Sequence, residues 1–166
     1  FGIYWLRDLA PGPVACVREF FAGHAALAVC VLALCTVVFG NCLKYYGKSR
    51  NDYVQTQFAG VMKDAGAETM LNYGFMDQGF YLSSGIRPVN RFFYTLNIPE
   101  DKLPEMYSEQ RELVAAKAVD FIVIRAKKDK TVSDYKEPWV LDYYEVCAEG
   151  VSIGDNYRFY LLKALS

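Results

Sequence analysis

The 166-residue sequence predicts one transmembrane helix followed by a small α/β domain with a mixed, partly parallel sheet. Three observations predict it. The stretch HAALAVCVLALCTVVFGNCL, from His24 to Leu43, has no formal charge beyond what His24 itself can take up. From Tyr53 onward, stretches with helical periodicity alternate with short β-rich stretches. The C-terminal residues read as two strands around a turn at Gly154, Asp155 and Asn156.

At a helical rise of ~1.5 Å per residue, the uncharged run is about 30 Å long, the thickness of a bilayer core. A helix buried in a soluble core normally keeps one polar stripe. Here Thr36 is the sole hydroxyl in the middle, and it can bond back to a carbonyl of its own helix. Phe20 and Phe21 before the run, and Tyr45 and Tyr46 among Lys44, Lys48 and Arg50 after it, suit a membrane interface. A buried core helix or an uncleaved signal sequence are the alternatives, although a signal begins near a Met and has a shorter apolar region. The expected organisation is the end of a preceding membrane region and a loop over residues 1–19, a transmembrane helix over 20–46, and a soluble α/β C-terminal domain over 51–166. The chain starts at Phe1 with a stretch of residues already ahead of the apolar run, so it reads as a fragment of something longer, and in that stretch RDLAPGP breaks off FGIYWL.

Within the domain, Tyr53, Val54, Phe58, Val61 and Met62 lie on one helical face, and Gly66 ends that helix. TMLNYG predicts a short strand, FMDQGFYLSSG a short helix or turn, and NRFFYTLNI a second strand rich in β formers. LPEMYSEQRELVAAKAV is the clearest helix. Pro104 suits its first turn and Glu105 the positive end of its dipole. DFIVIRA, nearly continuously apolar, predicts a strand covered on both faces. KKDKTVSDYKEP predicts a solvated surface loop, and YYEVCAEGV with NYRFYLLKAL an antiparallel hairpin.

Charge is unevenly placed. Five basic residues against Asp8 and Glu19 occupy positions 1–50, which leaves 13 basic and 17 acidic residues beyond them. An acidic domain without a basic run is poorly suited to nucleic acid, so no nucleic-acid partner is expected. Cys16, Cys30, Cys35 and Cys42 lie in or beside the apolar run, where a thiol acts as a small hydrophobe, and Cys147 is expected in the domain core. With one His and no CxxC, no metal site is expected. Phosphate-binding glycine loops, HExxH and DxD are all missing, so no cofactor and no catalytic residue is assigned.

The segment from Asn72 to Pro99 stands out for its aromatics and glycines. It puts Asp77, Arg87, Asn90 and Arg91 just beyond a strand end of the kind at which open α/β sheets bind ligands. On one reading these residues bind substrate or dock the domain against the rest of the protein. On the plainer one Asp77 caps a helix and pairs with an arginine, while Phe75, Phe80 and Tyr81 are core.

The order of an apolar span, a helix, LNYGFMDQGFYLSSGIRPVNRFF, a long helix, VDFIVIR and a closing YRFYLLK resembles the C-terminal region of bacterial multi-spanning glycosyltransferases of the GT-C class. These resemble the dolichyl-phosphate-mannose-protein mannosyltransferase and aminoarabinose transferase group. The resemblance implies a multi-pass enzyme of the cell membrane that takes a sugar from a polyprenyl-phosphate donor in the cell envelope. It implies as partners the lipid bilayer, that donor and the remaining transmembrane part of the same protein. In such enzymes the catalytic acid lies in an early outer loop, which nothing in this chain matches. Orientation divides the two lines of argument. Lys44, Lys48 and Arg50 after the run, against Arg7 and Arg18 before it, place the domain inside by the positive-inside rule. The resemblance implies an extracytoplasmic domain and is followed here. A membrane-anchored binding or sensory module without catalysis is the alternative.

Overall fold

The computed structural model describes Glu19, residues 23–40 and residues 45–165. Expectations for residues 1–18, 20–22 and 41–44 lie outside the described residues. The chain divides into two compact units, Phe1–Tyr46 and Gly47–Ser166.

In the first unit, helix α1 covers Ala25–Phe39. Its Leu27, Val29, Leu32, Leu34 and Val38 side chains are exposed, and Thr36 donates its hydroxyl to the Ala33 carbonyl at 2.8 Å. The helix is shorter than the expected span over 20–46. Gly40 ends it by turning extended, with φ −74° and ψ 146°. Among the described residues no helix is long and apolar enough to cross a membrane.

The second unit is α/β. Helix α2 (Val54–Asp64) leads to strand β1 (Met70–Tyr73). The short helix α3 (Phe80–Ser84) and helix α4 (Pro104–Ala115) then connect to strand β2 (Phe121–Lys127). Two 3₁₀ turns (Val132–Asp134 and Pro138–Asp142) precede strands β3 (Tyr144–Val151) and β4 (Tyr157–Ala164). The sheet order is β1-β2-β4-β3. β1 and β2 are parallel, and the other two pairings are antiparallel, which is the mixed, partly parallel sheet that the sequence predicts.

Alternation along β2 sorts its side chains to two faces. Phe121 and Val123 join Val54, Phe58 and Met62 of α2 and Phe80 of α3. Ile122, Ile124 and Ala126 join Val114 of α4, Val140 and Tyr144. Both faces are thus covered, which is why β2 can be almost wholly apolar. An aromatic cluster fills the first layer. The Phe80 and Phe159 ring centroids lie 5.1 Å apart, and those of Phe75 and Phe159 5.5 Å apart. Each such buried side chain contributes about 1.5–3 kcal/mol over its exposed state.

Both longer helices of this unit stop in the same way. After α2, Gly66 takes φ 68° and Ala67 N–H reaches back to the Met62 carbonyl. After α4, Ala118 N–H reaches the Leu113 carbonyl, but the left-handed residue is Lys117, with φ 51°. These are Schellman closures, and the second lacks the glycine that suits one.

Two further expectations are corrected. NRFFYTLNI is no strand: it makes one isolated bridge, Asn72 with Tyr94, along the outer edge of β1. Beyond Tyr94 no ladder follows: the Thr95 N–H goes to the Phe75 carbonyl, past the end of β1, and its side chain bonds to Gly74 and Gln110. Cys147 is exposed rather than core. It is the extra residue of a bulge, since Val146 pairs with Leu162 and Ala148 with Leu161.

Candidate functional site

Because β1 and β2 are parallel, their C-terminal ends lie together, and there the domain has a cleft. One cavity of about 330 Å³ is lined by Tyr73, Gly74, Thr95, Arg125, Tyr135 and Glu137 among others. A second, of about 390 Å³, is lined by Phe75, Met76 and Gln78 and shares Gly74, Thr95, Tyr107 and Arg125 with the first.

Gly74 makes the corner. Its φ of 81° suits glycine, and a Cβ there would meet Tyr135 Oη at 2.6 Å. A bare backbone therefore lets the Tyr135 hydroxyl approach and donate to the Tyr73 carbonyl at 3.3 Å. Gly74 N–H donates to Thr95 Oγ1 at 2.8 Å, and Thr95 donates to Gln110 Oε1, also at 2.8 Å. Gln110 Nε2 in turn donates to the Phe92 carbonyl. Thr95 and Gln110 are buried, so this chain of donors keeps their polar groups from being stranded.

On the other wall the Tyr73 hydroxyl donates to Glu137. Arg111 donates to Glu137 at 2.9 Å and to Glu100 at 2.6 Å. Burial, then the hydrogen bond to Glu137 and its charge, push the Tyr73 phenol far up. Burial and the Glu137 charge push Tyr135 up as well, against the opposing charge of Arg125. Both phenols stay protonated at neutral pH and act as donors rather than bases. Arg111 is raised by its bonds to Glu100 and Glu137, and its bond holds Glu100 below the usual carboxylate range.

Arg125 differs from Arg111. Its guanidinium lies over the Phe75 ring at 5.5 Å and the Tyr157 ring at 4.3 Å. Among the described residues no carboxylate forms an ion pair with it. Lys127, Lys130 and Lys136 line the same cavity and likewise form no ion pair. Asp134, the other acid of the lining, is occupied by Thr131, which donates from its backbone N–H at 3.0 Å and its hydroxyl at 2.9 Å. Among the described residues no cluster of His, Cys, Asp and Glu could hold a metal ion.

The residues singled out in the sequence are not among those lining this cleft. Asp77 accepts from Asn72 Nδ2 and from the backbone N–H groups of Gly79 and Phe80, each of the latter at 3.1 Å, so it fixes the start of α3. Arg91 pairs on the surface with Glu105 and Glu109 of α4 and lies over the Phe92 ring. Arg87 is exposed. Asn90 has both amide atoms buried without a hydrogen bond partner. The cleft residues that the sequence reading missed come from five separate stretches. The one signal for them was Arg125, a charge inside an otherwise apolar strand. Neither a protein-family model nor a curated protein nor a solved structure matches the chain.

Proposed function

We propose that this chain is the C-terminal span and domain of a membrane glycosyltransferase that uses a polyprenyl-phosphate-linked sugar, with the domain as a substrate-side platform and the chemistry elsewhere in the protein. The observation that carries the reading is the cleft at the C-terminal ends of β1 and β2. The segment that bears the family resemblance, LNYGFMDQGFYLSSGIRPVNRFF, runs from β1 through Gly74 to the stretch that delivers Thr95. The Tyr73 and Tyr135 phenols hold their protons, which suits the cleft to bind and orient a ligand. α1, without a charged side chain and with exposed apolar residues, supports attachment to lipid. At ~1.5 Å per residue its 15 residues reach about 22 Å, so a span of about 30 Å needs residues on either side. The lipid bilayer, the donor and the remaining transmembrane part are the partners proposed, with the domain outside the cytoplasmic membrane.

A non-catalytic membrane-anchored binding module is a second reading. It is favoured by the fact that the cleft is complete within the second unit alone.

The test uses the full protein that carries this chain, purified in nonionic detergent and given a labelled polyprenyl-phosphate sugar. Donor cleavage is expected. In Asp77→Asn turnover at saturation should fall by less than about twofold, because this residue anchors α3 rather than touching the reacting atoms. Absence of any donor cleavage overturns the transferase reading in favour of the module. A loss of about 10²-fold in a normally folded Asp77→Asn would put the chemistry in this domain.

A further inference from the structure

The cleft holds more positive charge than the chain uses. Arg125, Lys127, Lys130 and Lys136 face it. Of the two acids in its lining, Glu137 already accepts from Tyr73 and Arg111, and Asp134 from Thr131. Asp134 senses the charge of Lys130 and Glu100 that of Lys136, but neither forms an ion pair with these lysines, and Glu100 is itself bonded to Arg111. The Arg125 guanidinium lies 5.5 Å from the Phe75 ring centroid and 4.3 Å from that of Tyr157, contacts that do not use its N–H donors, which stay available to a ligand. A planar fork held in place by rings is suited to two parallel hydrogen bonds to one anion.

We infer that this cleft binds a phosphomonoester, with Arg125 gripping the phosphoryl oxygens and the three lysines supplying charge at the rim. Four cations that form no ion pair among the described residues favour a dianion over a single carboxylate. Each cavity is of the size that takes a small molecule. Tyr107 and Tyr135 in the wall supply aromatic surface for the body that carries the phosphate. The same chemistry is found in a sugar phosphate, in the headgroup of a polyprenyl monophosphate and in free phosphate. The inference does not depend on the transferase reading.

Calorimetric titration of the full chain in nonionic detergent tests it, with four probes: hexose 1-phosphate, polyprenyl monophosphate in the micelle, inorganic phosphate and a hexuronate. Saturable binding of at least one phosphate probe, with Kd below about 1 mM, is expected, together with weaker binding at higher salt. The probe bound tightest identifies the source of the phosphoryl group. Arg125→Gln should weaken it by about tenfold or more. Lys136 is exposed, so Lys136→Gln should weaken binding by about threefold at low salt and leave the melting temperature in place. It keeps the test open if Arg125→Gln folds poorly. Three results overturn the inference: no phosphate probe binds by about 10 mM, the hexuronate binds as well as the best phosphate, or Lys136→Gln and a folded Arg125→Gln both bind as the parent does. None of these bears on donor cleavage, so the transferase reading stands or falls separately.

Discussion

The two ends of the parallel pair β1 and β2 are finished in opposite ways. At the N-terminal end the Asp120 carboxylate accepts from the backbone N–H groups of Glu68 and Thr69, each at 2.9 Å, and from the Thr69 hydroxyl at 2.8 Å. Thr69 Oγ1 accepts in return from Asp120 N–H. Charge and donors are consumed where they arise, and the two strand starts are clasped. At the C-terminal end Arg111 is consumed in the same way, by Glu100 and Glu137, but Arg125, a neighbour in the same cleft region, is left with aromatic faces alone. Burial does not separate the two arginines, since both are half-buried. What separates them is whether the fold spends their donors internally. A donor so spent stabilises; one left over is available to a ligand.

Substituting the corner residue of the open end should have the largest effect. In Gly74→Ala the positive φ costs about 1–2 kcal/mol. The new Cβ also displaces the Tyr135 hydroxyl, whose bond to the Tyr73 carbonyl is worth about 1 kcal/mol. A fall of about 10 °C in melting temperature is expected. An unchanged melting curve would mean that the open end is loose and that its shape is not built in.

The closed end is probed by Asp120→Asn. Asp120 is exposed, which lowers the value of its bonds, so a loss of about 1 kcal/mol is expected near neutrality. The effect has a sign in pH. Burial raises the Asp120 carboxyl, but the donors on Glu68 and Thr69 outweigh it and hold the group below its usual 3.8. Its stabilisation is therefore present above that value and is lost as pH falls through the folded-state value. Melting curves of the parent and Asp120→Asn should converge on acidification from pH 7. A gap that stays constant down to about pH 3 would show that the clasp does not work through ionisation.

Lys117→Gly, at the same closed end, should have the smallest effect. It relieves the left-handed φ of 51° at the end of α4, while giving up the bond from Lys117 Nζ to the Leu165 carbonyl. A net gain of about 0.5 kcal/mol is expected, visible as a rise of about 2 °C. A loss would mean that the Leu165 contact fastens the C-terminus more firmly than an exposed bond normally does.

The fold was legible where one stretch carries its own instruction. DFIVIRA announces a strand buried on both faces, and Pro104, Glu105 and the Gly66 stop mark helix ends that need no partner to be read. NRFFYTLNI was misread because local β preference says nothing of available neighbours, and Thr95 finds its partners in Gly74 and Gln110 rather than in a ladder. The cleft was illegible for a similar reason. Tyr73 and Glu137 are bonded 64 residues apart, and Arg125 acquires its rings from Phe75 and Tyr157 only once β2 and β4 have paired. Asp77, Arg87, Asn90 and Arg91 drew notice by lying close together in sequence, whereas the cleft brings together residues that are distant in it. KKDKTVSDYKEP reads as a plain charged loop, yet it supplies Lys130, Tyr135, Lys136 and Glu137 to the cavity wall.

The bulge at Cys147 bears on how molecules of this protein meet one another. β3 is the terminal strand in the order β1-β2-β4-β3, so one side of it offers backbone donors and acceptors to any passing chain. The extra residue breaks the even spacing of those groups halfway along, and the exposed Glu145 and Glu149 lie on either side of the break. Two copies approaching through this strand would face an interrupted ladder and the exposed Glu145 carboxylate, Glu149 being paired with Arg158. Crowding should therefore leave the molecules apart where an unbroken apolar margin would seed fibres.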